Sequence, residues 1–203
     1  MSMLVSSKAR AYNVLQMTQN HPLPSNDALT QLVRKNGITS WNEVVEFVKK
    51  LPYGRTTNRA DFGLVLSEKK GSCSSKHAFL KCMADLNTIP NVKLILCIFR
   101  MNSINTPKIG NVLSKNALEF IPEAHCYLKI NGKRIDITTK NSEFKNIEQD
   151  IFQELEIDPE QLSSFKVEYH QKFIENWLKT THSKLNFDQI WHIREQCIKK
   201  LSS

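Results

Sequence analysis

The segment GSCSSKHAFL (71–80) places Cys73 behind Gly71 and Ser72 at the opening of an apolar helical run, and HCYLKINGKRIDIT (125–138) carries His125 and Asp136. The thiolate is the reactive form of cysteine, and a helix N-terminus lowers a thiol pKa with its free N–H groups and positive dipole end. A carboxylate that accepts a hydrogen bond from one imidazole nitrogen fixes the tautomer and stabilises the protonated ring, leaving the other nitrogen to act as a base. Cysteine, histidine and aspartate in these roles attack an amide or thioester carbonyl and pass through an acyl-thioenzyme. Lys76 and His77, in the first turn after Cys73, add positive or polarisable neighbours.

The element that must bring His125 and Asp136 together is a hairpin. Asn131-Gly132 between two alternating runs is a strong signal for a two-residue turn. With those two residues at its centre, Ile130 opposes Lys133, Leu128 opposes Ile135, Tyr127 opposes Asp136 and His125 opposes Thr138. One face then collects Cys126, Leu128, Ile130, Ile135 and Ile137 as an apolar core face, and the other carries His125, Tyr127, Lys129, Arg134, Asp136 and Thr138. His125 and Asp136 become diagonal neighbours, ~7–8 Å apart at the backbone, a gap their side chains close. As a polar-face residue, His125 is expected to contribute little to core burial.

Around this centre the chain divides by pattern into three parts of a single domain spanning 1–203. Residues 1–52 carry helical periodicity in SSKARAYNVLQMTQ, DALTQLVRKNG and SWNEVVEFVKKLP, with Gly37, Ser40 and Pro52 as stop and start signals. Residues 53–140 hold a loop, the helix beginning near Cys73, and the strand-like runs VKLILCIF, HCYLKI and KRIDIT. Residues 141–203 return to helix in LSSFKVEYHQKFIENWLKTTH and NFDQIWHIREQCIKKL, with Phe173, Trp177, Ile190 and Ile193 facing the core.

A glycine or serine before a cysteine that opens a helix, then a strand beginning at His125, then a strand carrying Asp136 and Thr138: this order resembles the transglutaminase-like superfamily, relatives of the papain-type cysteine proteases. The resemblance covers roughly residues 53–140. It implies an α+β fold with the Cys73 helix packed on a small antiparallel sheet, extra helices at both ends, and a Cys73, His125, Asp136 triad. It departs from the family at Tyr127, where a tryptophan is common, and at Ile137, where a proline often follows the aspartate. The implied activity is thiol-dependent amide hydrolysis or acyl transfer on a peptide, protein or small amide or amine substrate, without cofactor or metal.

Other readings stand beside this one. Cys82, Cys97, Cys126 and Cys197 fall in apolar periodic contexts and read as core. His77 competes with His125 as the base, and Cys73, His77, His125 and Cys126 are zinc ligands by type, without a supporting spacing. The backbone N–H of Cys73 is one candidate oxyanion donor, and a side chain from Trp41, Tyr53 or Asn58 is a second. Tyr53, Arg55, Trp41 and Tyr127 are candidate substrate-binding residues. A binding or scaffold domain that has kept the fold is the competing function.

Composition excludes other classes. A net charge of +8 is dispersed in pairs such as Lys49-Lys50 and Lys199-Lys200, without the basic stripe a nucleic-acid partner requires. No run approaches the ~20 apolar residues of a membrane span, and the first residues lack the apolar core of a signal peptide. Five cysteines without paired spacing predict free thiols, and a soluble, cytoplasmic protein is the expectation.

Overall fold

The computed structural model describes residues 20–181 and 183–202, so the predicted helix in SSKARAYNVLQMTQ lies outside the described residues. The fold is α+β. In chain order the elements are α1 (Ala28–Lys35), α2 (Trp41–Lys50), α3 (Leu64–Ser67), α4 (Cys73–Leu86), β1 (Val92–Met101), β2 (Ile121–Ile130), β3 (Lys133–Ile135), β4 (Ile151–Ile157), α5 (Phe165–Thr180) and α6 (Phe187–Leu201). Ser40 caps α2 as its sequence predicts, closing a capping box with Glu43, and Asp27 caps α1 by accepting from the Thr30 N–H at 2.9 Å.

The four strands form one antiparallel sheet in the order β3-β2-β1-β4. Alternation along β1 and β2 sorts the side chains onto two faces. Leu94, Leu96, Ile98, Cys126, Leu128 and Ile130 pack against Val44, Val45 and Val48 of α2 and Phe79, Leu80 and Met83 of α4. Ile95, Cys97, Phe99 and Tyr127 pack against Ile174 of α5 and Ile190, Ile193 and Cys197 of α6. Both faces of β1 are therefore covered, and this is why it reads in sequence as a nearly unbroken apolar run rather than an alternating one. The expected polar face of the hairpin is corrected accordingly. Tyr127 is fully buried, and its hydroxyl donates to Glu154.

The hairpin turn is as the sequence predicts, with Asn131 at φ 49° and Gly132 at φ 80°. Its ladder is shorter. Leu128–Ile135, Lys129–Arg134 and Ile130–Lys133 pair, and β3 then stops. The predicted Tyr127–Asp136 and His125–Thr138 pairs are absent because the next residues bond to α4: the Ile137 N–H donates to His77 Nε2 at 3.0 Å, and Lys76 Nζ donates to the Thr138 carbonyl at 2.7 Å. Among the described residues no helix is long and apolar enough to cross a membrane.

Ile135 anchors the last paired position of β3 and is 5% exposed. Ile135→Ala should cost ~2–5 kcal/mol in urea denaturation with an unchanged slope. A loss under about 1 kcal/mol would show that the short strand is not held by this side chain.

Candidate active site

The capped start of α4 fixes Cys73. Ser72 precedes it in extended conformation, its hydroxyl accepting from the Ser75 N–H, while the Ser72 N–H donates to Ser75 Oγ at 2.9 Å. Gly71 lets the backbone enter closely: a Cβ there would lie 2.6 Å from the Lys76 side chain. Tyr53 forms a bridge with Gly71, flanked by a hydrogen bond from the Gly54 N–H to the Gly71 carbonyl at 3.2 Å, so the loop after α2 is held beside the cysteine.

Where β3 leaves β2, Asp136 turns toward His125. Nε2–H of His125 donates to Asp136 Oδ2 at 2.9 Å, while Oδ1 accepts from the Thr138 N–H at 2.9 Å and the Thr138 hydroxyl at 2.6 Å. Burial alone would raise the Asp136 pKa. The charge and hydrogen bond of His125 outweigh it, followed by His77 and Thr138, and hold the carboxyl far below its ordinary range. Nδ1 of His125 is left to the thiol. On His125 burial opposes the charge, but Asp136 and then Cys73 raise its pKa well above the usual imidazole value. The His125 side chain is only 14% exposed, which corrects the expectation of an open polar-face position.

The structure adds a cation absent from the sequence reading. Lys166, in the first turn of α5 and buried, lies with Nζ 3.9 Å from Cys73 Sγ and 2.5 Å from Ser74 Oγ. Burial pushes the thiol up; Lys166 first and His125 second pull it down, to about 6. The other cysteines move the opposite way through burial: Cys82 to about 12, Cys197 to about 11, and Cys97 and Cys126 also upward. Cys97, Cys126 and Cys197 are buried, Cys82 partly so, and all five are free thiols.

Lys76 and His77, expected beside the thiol, serve the scaffold instead. Lys76 Nζ donates to the Leu51 carbonyl at 2.6 Å as well as to Thr138. His77 Nδ1 donates to the Cys73 carbonyl at 2.7 Å and its Nε2 accepts from the Ile137 N–H, so the ring is the neutral tautomer. Burial lowers its pKa to about 4, against the pull of Asp136. With both nitrogens committed, it is neither the base nor a zinc ligand. Among the described residues no group of three or more His, Cys, Asp or Glu side chains is arranged to hold a metal ion.

Cys73 opens into a cavity of about 200 Å³ lined by Tyr53, Arg55, Arg59, Glu123, Lys166 and Arg194, among others. Of the four residues expected at the substrate, Tyr53 and Arg55 are there. Trp41 is fully buried in the core with α2 and α4, and Tyr127 is in the opposite core layer, so neither lines this cavity. Asn58 is also outside it, its carbonyl accepting from Thr56 and its side chain from the Ala60 N–H. Glu123 is held by Arg194 through two bonds of 2.6 and 2.7 Å, and Glu195 joins Arg194 to Arg55. One signal marks the residues missed from sequence. Lys166 precedes His170 and Ile174 at four-residue steps, and Arg194 shares a helix face with Ile190 and Cys197, so each is a charge on a buried stripe.

Comparisons with protein-family models, curated proteins and solved structures found no match.

Alkylation of Cys73 by iodoacetamide should rise with a midpoint near pH 6, against ~8.5 for a free thiol, because a depressed pKa keeps the thiolate until the pH falls through the lower value. Lys166→Met and His125→Ala should each raise the midpoint, since Lys166 acts on the thiol by its charge and His125 by its charge and its hydrogen bond. Peptide mapping after brief labelling from pH 4.5 to 9 reads this directly. An unmoved midpoint in Lys166→Met would show that the ammonium does not act on the sulfur.

Proposed function

We propose that the chain is a thiol-dependent amide hydrolase or acyltransferase of the transglutaminase-like type, with Cys73 as nucleophile, His125 as acid and base, and Asp136 as the residue that orients the ring. The observation that carries this reading is the junction of β3 with α4. It sets Asp136 2.9 Å from His125 Nε2 and leaves the other ring nitrogen to a thiol at a helix N-terminus. The pairing of a lowered thiol with a raised imidazole supports a thiolate–imidazolium pair as the resting state.

In this mechanism the Cys73 thiolate attacks the carbonyl carbon of an amide or thioester and the carbonyl π pair moves onto oxygen. The backbone N–H of Cys73, at the first position of α4, has no intrahelical acceptor and receives that charge. The Tyr53 hydroxyl, on the cavity wall, is the second donor. Collapse of the adduct expels the amine or thiolate, which takes the proton of His125. Neutral His125 then deprotonates the water or amine that attacks the acyl-thioenzyme, and Cys73 leaves as thiolate. Substrates are a peptide, a protein, or a small amide or amine. The alternative, a binding domain that keeps the fold, is favoured by the low exposure of Cys73, 9%.

Incubation with a panel of small thioesters and activated esters, followed by intact-mass and peptide-mass analysis, separates the two. An acyl adduct on Cys73 that discharges to water or an added amine is expected. It should be absent in Cys73→Ser and form about 10²–10⁴-fold more slowly in His125→Ala. No adduct with any reagent, together with labelling of Cys73 no faster than of Cys82, would establish the binding domain instead.

A further inference from the structure

The charges on the cavity wall do not cancel. Arg194 donates from Nε and Nη2 to Glu123 at 2.7 and 2.6 Å and from Nη1 to Glu195 at 2.5 Å, and Arg55 donates twice to Glu195 at 2.9 and 3.0 Å. These two cations and two carboxylates close on themselves. Lys166 has the Cys73 sulfur as its counter-charge, 3.9 Å away. Arg59 remains. It lines the same cavity, and among the described residues no carboxylate pairs with it. The nearest acid in sequence, Asp61, accepts from the Gly63 N–H at 2.9 Å. The loop that presents Arg59 is anchored to Glu68 just before it and closed by a local turn across it. The Thr57 N–H and hydroxyl donate to Glu68 Oε1 at 3.1 and 2.5 Å, and Asn58 Oδ1 accepts from the Ala60 N–H at 3.0 Å across Arg59.

A solvent-exposed guanidinium on the rim of this cavity, sharing its wall with Arg55 and Arg194 and left without an anion, is an unfilled recognition element. An incoming anion gains charge-assisted hydrogen bonds there without first breaking an ion pair. The cavity, about 200 Å³, admits one residue-sized group beside the thiol. We infer that the cavity selects acyl substrates bearing a carboxylate close to the carbonyl that Cys73 attacks, with Arg59 as its partner. This rests on the acyl-transfer reading and narrows it to acidic substrates. The carboxylate belongs either to an acidic side chain or to the C-terminus of a peptide.

Iodoacetate and iodoacetamide are alkylating agents of nearly equal size that differ in one negative charge. The ratio of their rate constants at Cys73 cancels any change in thiolate fraction and reads the attraction of the cavity for a carboxylate. That ratio should fall at least about fivefold in Arg59→Gln, further in Arg59→Glu, and toward the Arg59→Gln value when wild type is measured in 0.5 M salt. Saturable protection of Cys73 by N-acetylglutamate α-amide would identify a side-chain carboxylate, and protection by N-acetylglutamine a C-terminal one, with neutral N-acetylglutamine amide as control. Either protection should weaken in Arg59→Gln. The same ratio in wild type and Arg59→Gln overturns the carboxylate assignment while leaving a reactive Cys73 in place. Failure of both reagents to label Cys73 ahead of Cys82 removes the acyl-transfer reading, and this inference with it.

Discussion

The carboxylate of Asp136 is the constraint on which the rest of the centre depends. It accepts three hydrogen bonds, one from His125 and two from Thr138, and its side chain is only 9% exposed. A carboxylate so far withdrawn from water is tolerated only when its lone pairs are filled, and these partners come from β2 and from the segment beyond β3. Satisfying it requires β3 to stop at Ile135 and the backbone to bend away from β2. The bend delivers the Ile137 N–H to His77 and the Thr138 carbonyl to Lys76, which stitches the segment to α4. One ionised group thereby sets the end of a strand, the orientation of an imidazole and the seat of the helix that carries the thiol.

A second constraint is electrostatic and comes from α5, whose Lys166 lies 3.9 Å from the Cys73 sulfur. Taking a thiolate out of water is costly, and the desolvation shows as an upward push on Cys73. The dipole end of α4 and His125 are opposed by that push, and Lys166 adds a fixed positive charge that Ser74 holds in place. Lys166 is itself buried, and its charge is sustained by the sulfur atoms and Glu123 around it. The ion cluster of Arg55, Glu195, Arg194 and Glu123 plays a different part, joining the 53–59 loop to α6 and β2 through charges that neutralise one another.

Local signals and long-range ones differed in how far the sequence disclosed them. The cap at Ser40, the Asn131-Gly132 turn and the first three pairs of the hairpin are set by residues within a few positions of one another, and each follows from local chemistry. The meeting of His125 and Asp136 was legible for the same reason. The end of β3 was not, because the competing partners for residues 136–138 are Lys76 and His77, about sixty positions earlier. Neither was Lys166, whose role depends on α5 crossing to the mouth of α4. The assignment of Trp41 and Tyr127 to the substrate side failed because an aromatic residue near a polar loop gives no sign of which core layer will enclose it. The charge of Lys166 on an otherwise buried stripe was the one available clue.

The site is assembled from pieces widely separated in sequence. Lys166 is 93 positions from Cys73, and Glu195 is 140 from Arg55. Contacts of such separation form late, since loop closure must be completed before they contribute. During synthesis from the N-terminus, α4 and the hairpin leave the ribosome well before α5 does. Until α5 docks, Cys73 lacks its nearest ammonium and titrates closer to an ordinary thiol. The unfinished polypeptide therefore carries an ordinary thiol at this position, and the low-pKa cysteine of the finished fold appears only when α5 has closed over it.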